Sequence, residues 1–385
     1  MNRKIRMGMV GGGLDAFIGA VHRKAAALDG EIELVCGAFS SKPDKSKATG
    51  EALYLPANRV YDSFATMIQS EKELPEGEKM DFVSIVTPNH LHFEPARMAL
   101  ENGFHVMIDK PIAYSLDEAQ QLQTMVDNTG LLLGLTHTYT GYPMVKEARQ
   151  IISSGQLGTI RKVFVEYPQG WLSTPLEQSG QKQADWRTDP ARSGKSGCMG
   201  DIGTHAANLA EYITGLKISQ LCADLNTVIE GRMLDDDGAI LLRFDNGASG
   251  VLIATQVAAG EENPLRIRVY GEKGGLDWLQ EEPNTLTLKW LDKPREVLRT
   301  GANYAHLSSY ALHNARLPSG HPEGYLEAFA NIYRNFALSL RAIQNGQTPS
   351  PEMLDFPKVD EGVSGMAFID KVIESSQSDQ KWTSM

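Results

Sequence analysis

Short apolar runs alternate with amphipathic stretches over roughly the first 135 residues of the chain. The apolar runs cover residues 5–10, 32–38, 81–87, 105–109 and 131–137. Between them apolar positions recur at helical spacing, as in residues 93–102, and Gly103 follows that stretch as a helix C-cap. Strands that alternate with helices predict a parallel sheet with helices on both faces. We therefore expect a doubly wound α/β domain at residues 1–140.

The pattern changes near residue 142, where a series of short strands replaces this alternation. Helices are predicted at residues 144–154 and 203–214, and strands at residues 160–167, 221–228, 239–244, 249–256, 265–270, 275–279 and 286–291. Tight turns at residues 245–247 and 272–274 join neighbouring strands as hairpins. Helices return at residues 325–344 and 359–376. This order predicts an α+β domain at residues 141–385 with a large, mainly antiparallel sheet.

Composition excludes several functional classes. The 385 residues carry 37 Lys and Arg against 48 Asp and Glu, a net charge of −11, and no basic cluster for nucleic acid. No apolar run approaches the ~18 residues of a membrane span. Three scattered cysteines, Cys36, Cys198 and Cys222, do not form a disulfide framework. His90 and His92 diverge at a helix start, so we expect no metal. Because the few cysteines fit a reducing compartment and no run is long enough to span a membrane, we expect a cytoplasmic location and no membrane partner.

A glycine-rich loop, GGGLDA, directly follows the first predicted strand. It fits the pattern G-x-G-x-x-G/A, with Ala16 in the third place. Gly11 permits the tight turn, Gly13 lets a pyrophosphate approach the backbone, and the helix that begins at Phe17 and Ile18 offers N–H groups to the anion. A structural turn is the alternative, but the position before a helix in a βαβ unit favours a dinucleotide.

The tip of the second predicted strand bears on the choice between NAD and NADP. An acidic residue there selects the ribose of NAD, but the tip reads Phe39, Ser40, Ser41 and Lys42. Hydroxyl groups and a lysine would accept a 2′-phosphate. Alternatively, the two serines cap the helix that is entered at Pro43, and both interpretations can hold. We expect NAD or NADP as the cofactor, and the tip favours NADP.

The carboxyl ends of two further predicted strands are expected to line the cofactor site, because ligands of such sheets bind at the carboxyl ends of the strands. The residues concerned are Thr87, Pro88, Asn89, His92, Asp109 and Lys110. For His92 the alternative is a packed or capping histidine, and for Lys110 an ordinary surface lysine. The apolar flank and the following Pro111 favour a functional Lys110.

Asp201 and His205 stand four residues apart at a predicted helix start, so they share one face. A carboxylate beside an imidazole fixes its tautomer and favours its charged form, which suits a general base. The alternative is that Asp201 caps the helix and His205 packs in its first turn.

Together these motifs resemble the Gfo/Idh/MocA oxidoreductases. The resemblance rests on the glycine loop, the [E/D]-K-P at residues 109–111, the G-G-x-x-x-D-x-G-x-H ending at His205, and the pair Trp186-Arg187. It covers nearly the whole chain. It implies an α/β fold, with an N-terminal Rossmann domain that binds NAD(P) and an α+β domain whose large, mainly antiparallel, open-faced sheet holds a sugar or cyclitol.

The resemblance also implies the reaction and its residues. Hydride passes between nicotinamide and a secondary hydroxyl, while His205 takes the hydroxyl proton, Lys110 stabilises the charge on the same oxygen and Asp201 orients the pair. The expected substrate contacts are Tyr139, Trp186, Arg187, Asp201 and His205. Three departures from the family pattern stand out: a longer loop before Gly19-Ala20-Val21-His22, Asp109 where Glu is commoner, and Lys195-Ser196 within the glycine run. The longer loop leaves open which residue takes the third glycine place of the motif.

Some alternatives stay open at this point. Relatives on this scaffold include NAD-dependent glycosidases that oxidise transiently and eliminate, and a non-catalytic NADP-sensing regulator is conceivable, although the set of Lys110, Asp201 and His205 argues against it. His321 and Glu323 either reach the substrate or cap a helix. The apolar runs at residues 239–242 and 251–254 predict a homodimer or homotetramer built sheet to sheet.

Overall fold

The computed structural model describes residues 3–385, which divide into two compact units. One unit comprises residues 3–138 and 325–363, and the other comprises residues 139–324 and 364–385. The predicted boundary at residue 140 lies close to this division. The assignment of residues 325–363 to the second domain is wrong, because the helix Tyr325–Gln344 packs against the helix Phe17–Leu28 of the first unit.

The elements follow one another in a βα alternation up to residue 135. They are β1 (Ile5–Gly11), α1 (Phe17–Leu28), β2 (Ile32–Ala38), α2 (Pro43–Ala52), α3 (Phe64–Lys72), β3 (Phe82–Val86), α4 (Phe93–Glu101), β4 (His105–Ile108), α5 (Leu116–Thr129) and β5 (Leu133–Leu135). The sequence analysis did not predict α3.

The remaining elements are mostly strands. They are α6 (Pro143–Ser153), β6 (Ile160–Pro168), α7 (Lys182–Arg187), α8 (Pro190–Ser193), α9 (Thr204–Thr214), β7 (Ile218–Asn226), β8 (Asp237–Phe244), β9 (Ser249–Thr255), β10 (Arg266–Gly271), β11 (Gly274–Leu279), β12 (Thr285–Trp290), β13 (Glu296–Arg299), α10 (Ser309–His313), α11 (Tyr325–Gln344), α12 (Val359–Ser376) and β14 (Thr383–Ser384). A π-helical turn, Met199–Gly203, precedes α9.

The sheet of the first unit is parallel throughout, as predicted. Within the described residues its five strands have the order β2-β1-β3-β4-β5. β3 is fully buried and wholly apolar except for Ser84, as expected for a strand covered on both faces. The order reverses between β1 and β3, where Gly11 lies opposite Val86, and ligands of such sheets bind at this switch point.

The sheet of the second unit is mainly antiparallel, as predicted. Over the part of the chain that the structure describes, nine strands run in the order β13-β12-β11-β10-β6-β9-β8-β7-β14, and β6 and β9 form its one parallel pair. Helix α9 packs against β6, β9 and β10. On β8 and β9 buried and outward residues alternate, and the outward set includes Leu241 and Ile253, 44% and 39% exposed.

None of the helices in residues 3–385 combines the length and the apolar character that crossing a lipid bilayer requires.

Candidate functional site

The glycine loop has the backbone conformation that only glycine adopts easily. Gly11 and Gly12 have φ angles of +83° and +70°. A Cβ on Gly19 would lie 2.3 Å from the Cα of Gly12, so Gly19 provides the close contact between helix and loop. This contact favours Gly19 over Ala16, the N-cap residue of α1, for the third place of the motif.

The start of α1 fits a bound phosphate group. The N-cap residue, Ala16, makes no side-chain hydrogen bond to the helix, and its own N–H donates to the oxygen of Gly13 at 2.9 Å. The N–H groups of the first turn, beginning at Phe17 and Ile18, therefore have no side-chain cap. A Cβ on Gly13 would lie 3.2 Å from the oxygen of Phe39, so glycine also keeps the space beside this strand tip open. These features fit a dinucleotide.

The tip after β2 presents polar groups and no carboxylate. Phe39 is 2% exposed and its ring lies against Gly37, while Ser41 and Lys42 are exposed. Ser40 Oγ accepts a hydrogen bond from Lys42 N at 3.1 Å. The N-cap of α2 is Lys42, without a side-chain bond, so neither serine caps this helix and that alternative is wrong.

Lys110 follows Asp109, whose carboxylate is held by several groups. Asp109 Oδ1 accepts hydrogen bonds from Lys110 N at 2.9 Å and from Thr136 Oγ1 at 2.8 Å, and His22 Nε2 lies 3.8 Å away. Burial alone would raise the pKa of Asp109, but His22 and the positive charge of Lys110 hold it below its usual range. Asp109 is therefore a partly buried anion that fixes the backbone at Lys110.

His22, the last residue of the glycine motif, lies among the polar side chains that surround Asp109. His22 is fully buried, and its Nδ1 lies 2.7 Å from the hydroxyl of Tyr333 on α11. That hydroxyl lies 2.8 Å from Ser84 Oγ on β3. Sequence reasoning missed Thr136, Ser84 and Tyr333, because only the fold brings these polar side chains to the motif.

His92 is a packed residue. Its ring is 0% exposed, with Nδ1 2.7 Å from the oxygen of Pro111 and Nε2 2.7 Å from the oxygen of Thr87. The expectation of a direct cofactor contact is wrong for this side chain, because both ring nitrogens face backbone oxygens of the two strand-end loops. Asn89 is 8% exposed, whereas Thr87 and Pro88 are partly exposed. Among residues 3–385 no group of three or more His, Cys, Asp or Glu side chains suits a metal ion.

In the second unit several strand ends meet at one edge of the sheet. β6 and β9 run parallel and finish side by side, with Pro168 opposite Thr255. β8 and β10 begin at the same edge because each runs antiparallel to one of them. The chain after β6 and after β9, and the chain before β10, therefore converge here. The side chains that this edge brings together are Tyr167, Gln169, Trp171, Gln256 and Asn263.

His205 lies on the first turn of α9 and is 8% exposed. Its ring meets Tyr139 edge to face, with 4.9 Å between ring centroids, and Tyr167 at 6.5 Å. The hydroxyls of the two tyrosines are hydrogen-bonded to each other. Burial raises the pKa of Tyr139, although hydrogen bonds from Tyr167 and Asn263 oppose the shift. His205 thus sits in an aromatic and hydroxyl-rich environment.

Asp201 lies in the π-helical turn before α9. Its Oδ2 accepts hydrogen bonds from Arg187 Nε at 3.1 Å and Gln256 Nε2 at 2.9 Å. The guanidinium of Arg187 lies 4.3 Å from the ring centroid of Trp186. The structure thus joins the predicted residues Trp186, Arg187 and Asp201 in one cluster and adds Gln256.

The alternative that Asp201 caps the helix is wrong, because the carboxylate of Asp235 binds the backbone N–H groups at the start of this turn. Asp235 accepts hydrogen bonds from Gly197 N and Met199 N, both at 2.8 Å. Ser196, an interruption of the family's glycine run, accepts from Gly200 N at 2.9 Å. These bonds fix the turn that presents Asp201 and His205.

Asn263 connects the tyrosines to a second amide. Its Oδ1 accepts hydrogen bonds from Tyr167 OH at 2.8 Å and Gln169 Nε2 at 2.6 Å. Gln169 Oε1 in turn accepts from Trp171 Nε1 at 3.1 Å. Sequence reasoning missed these amides, which stand in segments without any motif.

Glu323 has a structural role that neither sequence interpretation anticipated. It is 2% exposed, and its Oε1 accepts hydrogen bonds from the backbone N–H groups of Arg316 and Leu317 at 2.7 and 3.0 Å. It therefore holds the preceding loop and does not cap α11. His321 is exposed, with Nδ1 3.2 Å from the oxygen of Pro318.

Comparison with known proteins gives two family matches. Residues 5–137 match the oxidoreductase family with an NAD-binding Rossmann fold, GFO_IDH_MocA. Residues 145–277 match the GFO/IDH/MocA C-terminal domain.

Individual relatives are similar over most of their length. An inositol dehydrogenase homologue from Azotobacter vinelandii in complex with NAD⁺ is 33% identical, with a TM-score of 0.93 over 100% of this chain and 98% of the other. The same homologue with NADH and myo-inositol gives a TM-score of 0.91, at 32% identity over 100% and 98% of the chains. The uncharacterised oxidoreductase YfiI of Bacillus subtilis is 31% identical over 99% of this chain and 97% of its own length. Levoglucosan dehydrogenase of Pseudarthrobacter phenanthrenivorans is 27% identical over 74% of this chain and 76% of its own length.

Proposed function

Because the chain belongs to the Gfo/Idh/MocA family of NAD-binding oxidoreductases, we propose that it oxidises a secondary hydroxyl of a sugar or cyclitol, or reduces the corresponding ketone. The observation that carries the proposal is the environment of His205. Its buried imidazole lies beside two tyrosine rings that carry hydroxyl groups. His205 also follows Asp201, which is paired with Arg187, by four residues. An imidazole in such a place suits the transfer of a hydroxyl proton. Relatives that bind myo-inositol and oxidise levoglucosan support the substrate class.

The roles of the individual residues follow from their chemistry. A bound nicotinamide supplies the hydride acceptor. His205 accepts the hydroxyl proton, and Asp201, anchored by Arg187 and Gln256, provides a fixed negative charge near the start of the same helix. Lys110, whose backbone is fixed by Asp109, stabilises negative charge that develops on the substrate oxygen. A positioned general base contributes about 10²–10⁴-fold to the rate.

The direct test is steady formation of reduced cofactor. The purified chain is given NAD or NADP together with inositols, aldoses, anhydrosugars and aryl glycosides, and both the absorbance of the reduced nicotinamide and the release of the aryl group are followed. Continuous reduction with at least one of these substrates supports the proposal. Turnover of a glycoside without net reduction indicates the glycosidase reaction, and cofactor binding without any turnover indicates the sensor. Either result contradicts the proposed dehydrogenase.

For the cofactor, we propose that Ser40, Ser41 and Lys42 allow NADP to bind. A new carboxylate at the tip would repel a 2′-phosphate, so Ser41→Asp is expected to weaken NADP binding about tenfold and to change NAD binding much less. Titration of both oxidised cofactors by fluorescence measures this. Ser378→Asp, which makes the same change on an exposed serine of the second unit, is the control. If the unaltered chain binds NAD more than tenfold tighter than NADP, the phosphate-site proposal is wrong.

For the assembly, we propose a homodimer or homotetramer that buries the outward face of β8 and β9. Leu241 and Ile253 point outward there, and burial of such apolar surface favours association. The double variant Leu241→Arg/Ile253→Arg is therefore expected to lower the molar mass in light scattering to that of a monomer. Leu291→Arg, on an 83% exposed leucine just after β12, should leave the mass unchanged. A monomeric unaltered chain at micromolar concentration would contradict the proposal.

A further inference from the structure

Lys110 stands between two residues that each face a buried histidine. Asp109, the residue before it, has its Oδ1 3.8 Å from Nε2 of His22. Pro111, the residue after it, has its backbone oxygen 2.7 Å from Nδ1 of His92. Both imidazoles are 0% exposed. The proposed reaction gives neither histidine a role, although buried polar side chains at such positions usually have one.

Contacts inside the first unit fix the orientation of His22. Its Nδ1 lies 2.7 Å from Tyr333 OH, that hydroxyl lies 2.8 Å from Ser84 Oγ, and the ring meets Phe329 edge to face at 4.7 Å. The other ring nitrogen, Nε2, is buried, has no hydrogen-bond partner among the described residues and faces Asp109. A carboxylate beside a ring nitrogen favours an N–H there over a lone pair. His22 therefore directs Nε2–H toward Asp109.

Asp109 transmits this orientation to the backbone of Lys110. Its Oδ1 accepts hydrogen bonds from Lys110 N at 2.9 Å and from Thr136 Oγ1 at 2.8 Å. Its own N–H donates to the oxygen of Ile85 at 2.9 Å. Because both the backbone and the side chain of Asp109 are held, the chain enters Lys110 in a fixed direction.

His92 anchors the chain on the other side of Lys110. Its Nε2 lies 2.7 Å from the oxygen of Thr87, while its Nδ1 lies at the same distance from the oxygen of Pro111. Thr87 follows β3 and Pro111 lies beyond the end of β4, and these two strands are paired in parallel. The ring therefore joins the chain that leaves Lys110 to the end of the neighbouring strand.

We propose that His22 and His92 are positioning residues for Lys110, which they hold from its two sides through Asp109 and Pro111. The proposal rests on the proposed function, in which Lys110 stabilises charge on the substrate oxygen. A lysine side chain is a flexible four-carbon stem, so a fixed backbone narrows the space that its ammonium group reaches. A misplacement of about 1 Å can cost about 10²-fold in rate. Neither histidine has to contact the substrate for this role.

Exchange of the Lys110 amide hydrogen tests the anchoring without any turnover. The full chain, labelled with ¹⁵N on lysine, is transferred to deuterium oxide and followed by NMR. Tyr333→Phe removes the hydroxyl beside His22 and keeps the aromatic ring, and His92→Gln cannot keep both contacts of the imidazole. We expect the Lys110 amide to exchange about tenfold faster or more in each variant, because its hydrogen bond to Asp109 opens more often. Unchanged exchange in both variants overturns the proposal.

Two control variants make the same chemical changes elsewhere in the first unit. Tyr61→Phe removes a hydroxyl that donates to Glu71 Oε1 at 2.9 Å, and His90→Gln replaces an exposed histidine. Neither change should alter exchange at Lys110. If Tyr333→Phe does not fold, Ser84→Ala takes its place, because it removes only the hydroxyl beyond Tyr333. His92→Asn, which keeps an NH₂ group near the position of Nδ1, takes the place of His92→Gln in the same way.

A double-mutant cycle with Lys110→Ala tests whether the histidines act through the lysine. In the unaltered chain, Tyr333→Phe and His92→Gln are each expected to lower kcat about tenfold. In the Lys110→Ala background the same changes should lower kcat less than about twofold, because the group that they position is absent. A purely structural role would lower kcat by the same factor in both backgrounds, and that result overturns the proposal.

The two measurements separate this proposal from the proposed function. Faster exchange at Lys110 in a chain that reduces no cofactor with any substrate supports the anchoring by His22 and His92. The same result contradicts the dehydrogenase reaction. Turnover that depends on Lys110, together with equal kcat in the unaltered chain and both site variants, supports the reaction and overturns the positioning role.

Discussion

Replacing His205 with alanine is expected to lower kcat by about 10²–10⁴-fold, the usual contribution of a positioned general base. Cofactor affinity should stay within about threefold, because the glycine loop that fits the dinucleotide belongs to the first unit and His205 to the second. Steady-state kinetics on the active sugar or cyclitol, together with fluorescence titration of the cofactor, measure both quantities. His321→Ala, on an exposed histidine of the second unit, is the control and should change neither.

The pH dependence supplies a second readout for His205. A base must be unprotonated to accept a proton, so kcat/KM in the oxidative direction should fall about tenfold per pH unit below the pKa of the base. His137 cannot produce this decline at neutral pH, because burial and the nearby charge of Lys110 lower its pKa to about 3. The decline should disappear in His205→Ala. If His205→Ala keeps more than about a third of the kcat of the unaltered chain, a different residue is the general base.

Replacing Gly19 with alanine is expected to weaken NAD binding about tenfold or more and to destabilise the chain by about 1–3 kcal/mol, the usual range for overpacking. The added Cβ would lie 2.3 Å from Gly12 Cα and 2.9 Å from Gly12 O, so the glycine loop has to move. Fluorescence titration and thermal unfolding measure the two effects. Both effects should be large, because the added Cβ would meet backbone atoms, which cannot move aside as a flexible side chain can.

Gly365→Ala is the control for Gly19→Ala. Gly365 lies within α12, and a Cβ there would meet no atom within 4 Å. Alanine is favoured over glycine inside helices by up to about 1 kcal/mol, so this variant should be equally or more stable. If Gly19→Ala also gains stability and binds NAD normally, the close contact is not needed and Ala16 regains the third place in the motif.

Periodicity and local motifs predicted much of this protein. The bounds of β2, α11 and α12 agree with the predicted runs, because each element carries a complete pattern of its own. The glycine loop after β1 was also recognisable, since its φ angles require glycine at fixed positions. Trp186, Arg187 and Asp201 were also recognisable, since they stand in motifs that resemble the family pattern, although their interaction across 14 residues was not predicted. The sequence by itself determined these features.

The tertiary structure alone decided which distant residues share the site. Gln256 reaches Asp201 across 55 residues, Asn263 meets Tyr167 across 96, and Tyr333 meets His22 across 311. Such hydrogen bonds depend on strand order and register, and hydrophobic periodicity within one strand does not specify its neighbours. The same reason explains the placement of α11 with the first unit and the burial of His92. Local pattern shows that a side chain faces inward, and only packing shows which groups it meets there.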